Sequence, residues 1–190
     1  MPYTNKLVAL PIIAAIAVIA VYYASPLFVN ATVNEPTTTA TEIMEKGQAM
    51  MDKEKTMMEK ETMMKEEKEH MMENQEPAIT FNGNFVGAGD GIHNAEGMAK
   101  ILAVNDGQTE HRILRLENFR STNGPDLYVY LSKDARSISD GYIELGRLKG
   151  NIGNQNYHIP NDADLGEYNH VLIWCKQFSV LFGSADLQGA

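Results

Sequence analysis

Cys175 is the only cysteine of the 190 residues, and it lies in the apolar run Val171-Leu-Ile-Trp-Cys-Lys-Gln-Phe-Ser-Val-Leu-Phe182. One thiol cannot close a disulfide within its own chain. Outside the cytoplasm it has four available states: buried and inert, paired with another molecule, bound to a prosthetic group, or chemically active. Redox or nucleophilic work requires the thiolate, so a cation, a helix N-terminus or a metal must pull the pKa below the free value of ~8.5. Lys176 is adjacent, but neighbours along a strand point to opposite faces. In that alternation Leu172 and Trp174 face one side, while Val171, Ile173 and Cys175 face the other. Both faces are apolar, so the strand is expected to be central. Cys175 as a small core hydrophobe therefore stands beside Cys175 as a redox group. Lys176 and Gln177 break the run, which places Cys175 where the strand leaves the core.

Histidine offers the other candidates. His93 closes the glycine-rich segment Gly87-Ala-Gly-Asp-Gly-Ile-His93, and such loops approach ligands closely because glycine carries no side chain. Two roles are open: ligation of a metal or haem with Asp90 or Cys175 as partner, or a hydrogen-bonded tie between Asp90 and His93 within the loop. His111, His158 and His170 show no zinc spacing. The chain has no Cys-x-x-Cys and no Cys-x-x-Cys-His, which excludes a zinc ribbon and c-type haem attachment. Farther upstream, Met57, Met58, Met63 and Met64, with His70, form a thioether-rich set of the soft kind that favours Cu(I). The alternative for these methionines is the apolar stripe of a spacer helix.

Other chemistries are absent from the pattern. There is no phosphate-binding Gly-x-x-x-x-Gly-Lys loop, no dinucleotide fingerprint and no Gly-x-Ser-x-Gly elbow. From Pro77 onward thirteen acids oppose nine bases without a basic-aromatic patch, so nucleic acid is not an expected partner.

The elements that must position Cys175 and His93 are strands. Residues 77–190 hold the only tryptophan and every phenylalanine but Phe28, in short apolar stretches separated by turn residues. Period-two alternation predicts strands at 81–85, 98–104, 112–116, 127–131, 142–145, 156–159, 171–174 and 179–182. Asn105-Asp-Gly107 predicts a tight turn. Seven to nine short strands with no amphipathic helix predict an all-β domain, a single antiparallel β-sandwich or small barrel.

The rest of the chain divides in two. Residues 31–76 contain no tryptophan, tyrosine or phenylalanine, and between Glu42 and Glu76 eleven acids face six bases. The expectation is a helical or disordered stalk and linker. Ile43, Met50, Met57, Met64 and Met71 recur every seven residues, but Gly47, Glu54, Glu61 and Lys68 fill the second coiled-coil position, so any self-association through this stalk is weak. Residues 1–30 carry eighteen residues without charge, Leu7–Ala24. About twenty such residues cross a bilayer core, against about 7–15 in the core of a cleaved signal. Lys6 is the only charge before Glu35. A retained single-pass anchor is the expectation, with the N-terminus cytoplasmic and residues 77–190 extracytoplasmic at the cell membrane. A cleaved signal peptide is the alternative.

Several segments occur in an order that resembles a known family: Gly83-Asn-Phe-Val-Gly87, Asp90-Gly-Ile-His-Asn-Ala-Glu-Gly97, Gly124-Pro-Asp-Leu-Tyr-Val-Tyr-Leu131, Leu145-Gly-Arg-Leu-Lys-Gly150 and Ile173-Trp-Cys-Lys-Gln-Phe178. Together they resemble the electron-transfer DM-thirteen family, extracellular β-rich modules often found beside haem-binding DOMON-type domains, over residues 80–188. The resemblance implies a redox role for Cys175, as a bare thiol or as ligand to a prosthetic group such as haem, with His93 as a further candidate. It also implies a redox protein partner. Without the resemblance, a non-catalytic cell-surface binding or scaffolding module is the competing function.

Overall fold

The computed structural model describes residues 29–37, 77–105 and 109–190. The anchor expected at 7–24, most of the stalk, and Met57, Met58, Met63, Met64 and His70 lie outside the described residues. Among the described residues no helix is long and apolar enough to cross a membrane.

Nine strands form one sheet: β1 (Ala78–Gly87), β2 (Ala95–Asn105), β3 (Glu110–Ser121), β4 (Leu127–Ser132), β5 (Tyr142–Arg147), β6 (Ile152–Ile159), β7 (His170–Cys175), β8 (Val180–Asp186) and β9 (Gln188–Gly189). Each segment predicted as a strand falls on one, most of them longer than expected; β8 starts one residue later than expected, with Ser179 left in the turn, and β9 is added. The order is β5-β4-β7-β8-β1-β2-β3-β6, with β9 beside β1, and every strand pair is antiparallel. β1 is shared: its first half pairs with β2 and its last residues with β8. The sheet curls so that β5 and β6, at the ends of the order, come into contact. The result is a nearly closed antiparallel barrel.

Alternation fills this barrel. Leu114, Leu116, Val129, Leu131, Ile159, Val171, Ile173 and Cys175 point inward into one core. Tyr130, Leu172, Trp174 and Leu181 project from the opposite face of the same strands into a smaller cluster. β7 is thus apolar on both faces because both faces are covered, as its sequence requires.

All strands run between two rims. The near rim carries the loops 88–94, 122–126, 148–151 and 176–179; the far rim carries 133–141 and 160–169. Val29 also lies at the near rim. The segment it begins runs parallel to β6, bridging Thr32 to Ile152. The amides of Val33 and Glu35 donate to the carbonyls of Ile152 and Asn154, each at 2.9 Å, and Ile152 donates back to Ala31. Lys149 Nζ pairs with the Glu35 carboxylate at 2.8 Å, and the buried Arg115 donates to the carbonyls of Glu35 and Pro36. Gly153 admits this strap: its φ is +105°, and a Cβ there would collide with the Val33 carbonyl oxygen. The strap supplies the exposed edge of β6 with backbone partners, which an open edge otherwise seeks from another chain. The last described residues of the strap stop partway along β6, where the Pro36 carbonyl accepts from Asn156 Nδ2, whereas β1 begins at the far rim. Across the strands the two points are separated by β6, β3 and β2, roughly 19 Å at ~4.8 Å per strand.

Candidate functional site

Cys175 and His93 fall at the same rim. Cys175 is the last residue of β7, and His93 belongs to the loop between β1 and β2. The thiol is free, 1 % exposed, and packed in the main core. Across the ladder it faces Leu127 of β4. Lys176, the next residue, emerges on the outer face, where its ammonium binds Glu144 at 2.8 Å and lies 4.7 Å from the Tyr128 ring centre. The alternation of β7 therefore turns the nearest cation in the sequence away from the sulfur, as the pattern of Val171–Lys176 predicts.

The 88–94 loop is tied by Asp90. One carboxylate oxygen accepts the amides of Ile92 and His93 at 2.9 and 2.7 Å; the other lies 2.5 Å from His93 Nδ1. The hydrogen bonds from the His93 ring and then from the two amides hold the Asp90 carboxyl far below the usual carboxylate range. An ionised carboxylate only accepts, so His93 Nδ1 carries the proton and Nε2 is the ring's remaining ligating atom. Glycines at 89 and 91, both with positive φ, let the chain turn this tightly. The His93 ring packs on Phe182 of β8, with centres 4.4 Å apart.

Phe182 separates His93 from the thiol. A Cβ at Gly124 would meet both Leu127 and Phe182, so these two side chains adjoin beneath the 122–126 loop. Leu127 in turn stands opposite Cys175. A depression at this rim, about 210 Å³, is lined by Leu127, Gly124, Lys149 and Asn151 and does not include Cys175. Small-molecule sites typically enclose about 300–1,000 Å³. As packed, these side chains do not fit a haem held between Cys175 and His93. A larger groove of about 450 Å³ lies elsewhere, over β1 and β8, lined by Asn82, Asn84, Ser184 and Asp186. Among the described residues no three His, Cys, Asp or Glu side chains converge on a metal position.

The structure also makes a neighbourhood that spacing did not show. His111 and His158, far apart in sequence, have ring centres 6.2 Å apart because β3 pairs with β6. His170 pairs with Asp186 across β7 and β8 at 2.8 Å. Gln155, fully buried, accepts the amides of Lys149 and Gly150 and the Tyr157 hydroxyl, and donates to the Gly150 carbonyl at 2.7 Å. It holds the 148–151 loop against the strap. No sequence motif marks such a buried amide.

Fold and site together define a small antiparallel β-barrel module with one shielded thiol beneath one rim. The model of a protein family described as Electron transfer DM13 matches residues 84–187. The chain belongs to that family, as the ordered segments from Gly83 to Phe178 imply. No curated protein and no solved structure matches it.

Proposed function

We propose that this chain is a membrane-tethered, extracytoplasmic electron-transfer module with Cys175 as its redox centre. Membership of the Electron transfer DM13 family supports the redox role and is the observation that carries it. The uncharged stretch 7–24 behind Lys6 supports the tether. Burial of Cys175 at 1 % shields the sulfur from the irreversible upper steps of thiol oxidation. A single thiol has no resolving cysteine, so a partner's thiol or a cofactor of the partner completes the couple. That partner is a redox protein at the cell surface.

The second reading, a surface binding module with an inert Cys175, draws on the same burial. Protein-film voltammetry of the full chain in nanodiscs separates the two. A reversible wave that disappears in Cys175→Ala upholds the redox centre, whereas one that persists moves it elsewhere. No wave in either protein, with a thiol that reacts only after unfolding, leaves the binding module.

A further inference from the structure

We propose that the near rim is a lipid-docking surface, seated on the outer leaflet of the bilayer that holds the N-terminal segment. The docking presupposes the tether proposed above and adds an orientation to it. The apolar sequence continues through Leu27-Phe28-Val29, and the strap is fixed to the barrel from its next residues: Asn30 Oδ1 accepts from Asn151 Nδ2 at 2.9 Å, and the Ala31 amide donates to Asn151 Oδ1 at 2.7 Å. No spacer separates the apolar segment from the barrel, so whatever surface that segment enters lies against this rim.

The rim is built to meet an apolar boundary. Six large hydrophobic side chains are exposed among the described residues, and three of them stand here: Ile92 at 72 %, Val29 at 63 % and Phe178 at 63 %. Single exposed apolar residues are ordinary on a soluble surface. These three are at loop tips or at the point where the chain enters, spread around one end of one barrel. Ile92 rides on the Asp90-tied turn. Phe178 sits in the β7–β8 turn beside Ser179, whose φ of +53° is unusual for a residue with a side chain. Around them lie Arg120 and Arg147, with side chains 63 % and 66 % exposed and paired with Glu96 and Asp126, charged groups of the kind that face headgroups. At the far rim the described loop residues carry five acids against two bases, which suits the side turned away.

Depth-dependent quenching tests the orientation. The full chain, with Phe178→Trp or separately Ile92→Trp, is placed in phosphatidylcholine nanodiscs containing brominated acyl chains; Tyr142→Trp reports the far rim. The native Trp174 gives the same background in every variant. Side chains at an interface sit about 5–10 Å into the headgroup boundary, so the near-rim probes are expected to be quenched roughly threefold more than the far-rim probe. Equal quenching at both rims overturns the docking even if the chain remains in the nanodisc. If the chain elutes free of nanodiscs, the tether fails separately. Brominated phosphatidylcholine vesicles added to the free chain then decide: quenching at 178 or 92 upholds the docking, and none overturns it.

Discussion

The two rims of this barrel are made by the same eight long strands yet differ in almost every physical respect. Among the described residues, near-rim loops carry two acids and two bases, and far-rim loops five acids and two bases. The near rim holds Cys175, His93, Phe182 and the start of the strap; the far rim holds the surface pair Lys133–Glu167 and the exposed acids Asp162 and Glu167. A barrel leaves its strands little freedom, so difference accumulates in the loops and in what docks at the edges. Here one end is assembled from buried or interlocked contacts and the other from solvated charges. Substitutions at the two ends should therefore have very different consequences.

The largest effect is expected where the strap meets β6. Gly153→Val places a branched side chain at a positive φ and against the Val33 carbonyl, so it should cost roughly 3 kcal/mol and release residues 29–37. Urea unfolding gives the cost, and proteolysis within 29–37 reports the release. Retained protection of the strap would show that its side-chain ties alone suffice. Next comes Cys175→Ser, which buries a hydroxyl without a prepared partner and should lower stability by about 1–3 kcal/mol. A smaller loss would mean that the β7 end opens easily to water, and the contrast between rims would weaken.

Tyr157 gives a pH signature. Burial pushes its phenol above the ordinary value of 10, with the Lys149 amide opposing the shift and the Glu35 charge adding to it. A raised folded pKa favours the neutral phenol, so its contribution is fully present below pH 10 and is lost as pH climbs from there toward the folded pKa. Urea midpoints should fall between about pH 8 and about pH 11 in the natural chain, and less steeply in Tyr157→Phe. That variant should also lose about 1 kcal/mol at the lower pH through its bonds to Gln155 and Lys149. The smallest effect belongs to the far rim: Lys133→Ala removes an exposed pair with Glu167 and should leave the melting temperature unchanged. A clear drop there would erase the distinction.

Much of the barrel was legible because period-two alternation is a direct record of which side of a strand is covered. Val171–Cys175 reads as apolar on both faces and proves to be a central strand between two clusters. Leu127, Val129 and Leu131 read as one face and enter one core. The closure of the sheet was not legible, since pairing of β3 with β6 and of β1 with β8 depends on contacts remote in sequence. For the site, the Asp90–His93 tie could be seen from local spacing and the burial of Cys175 from its strand. The Phe182 ring between them could not, because a bulge in the β7–β8 pairing places it. The strap was missed for a different reason. Val29–Thr37 has no strong strand pattern; its partners are backbone groups and the glycines at 150 and 153, which carry no signal until β6 lies beside them.

Because residues 29–37 are held along β6 and Pro77 leads into β1, residues 38–76 are a detour in the covalent chain. Lengthening that detour does not move the barrel away from residue 28. Cutting it makes the N-terminal piece and the barrel two molecules, held together by the strap alone. Release of the redox domain would follow a dissociation rate set by the hydrogen bonds along β6 and the ties to Lys149 and Arg115.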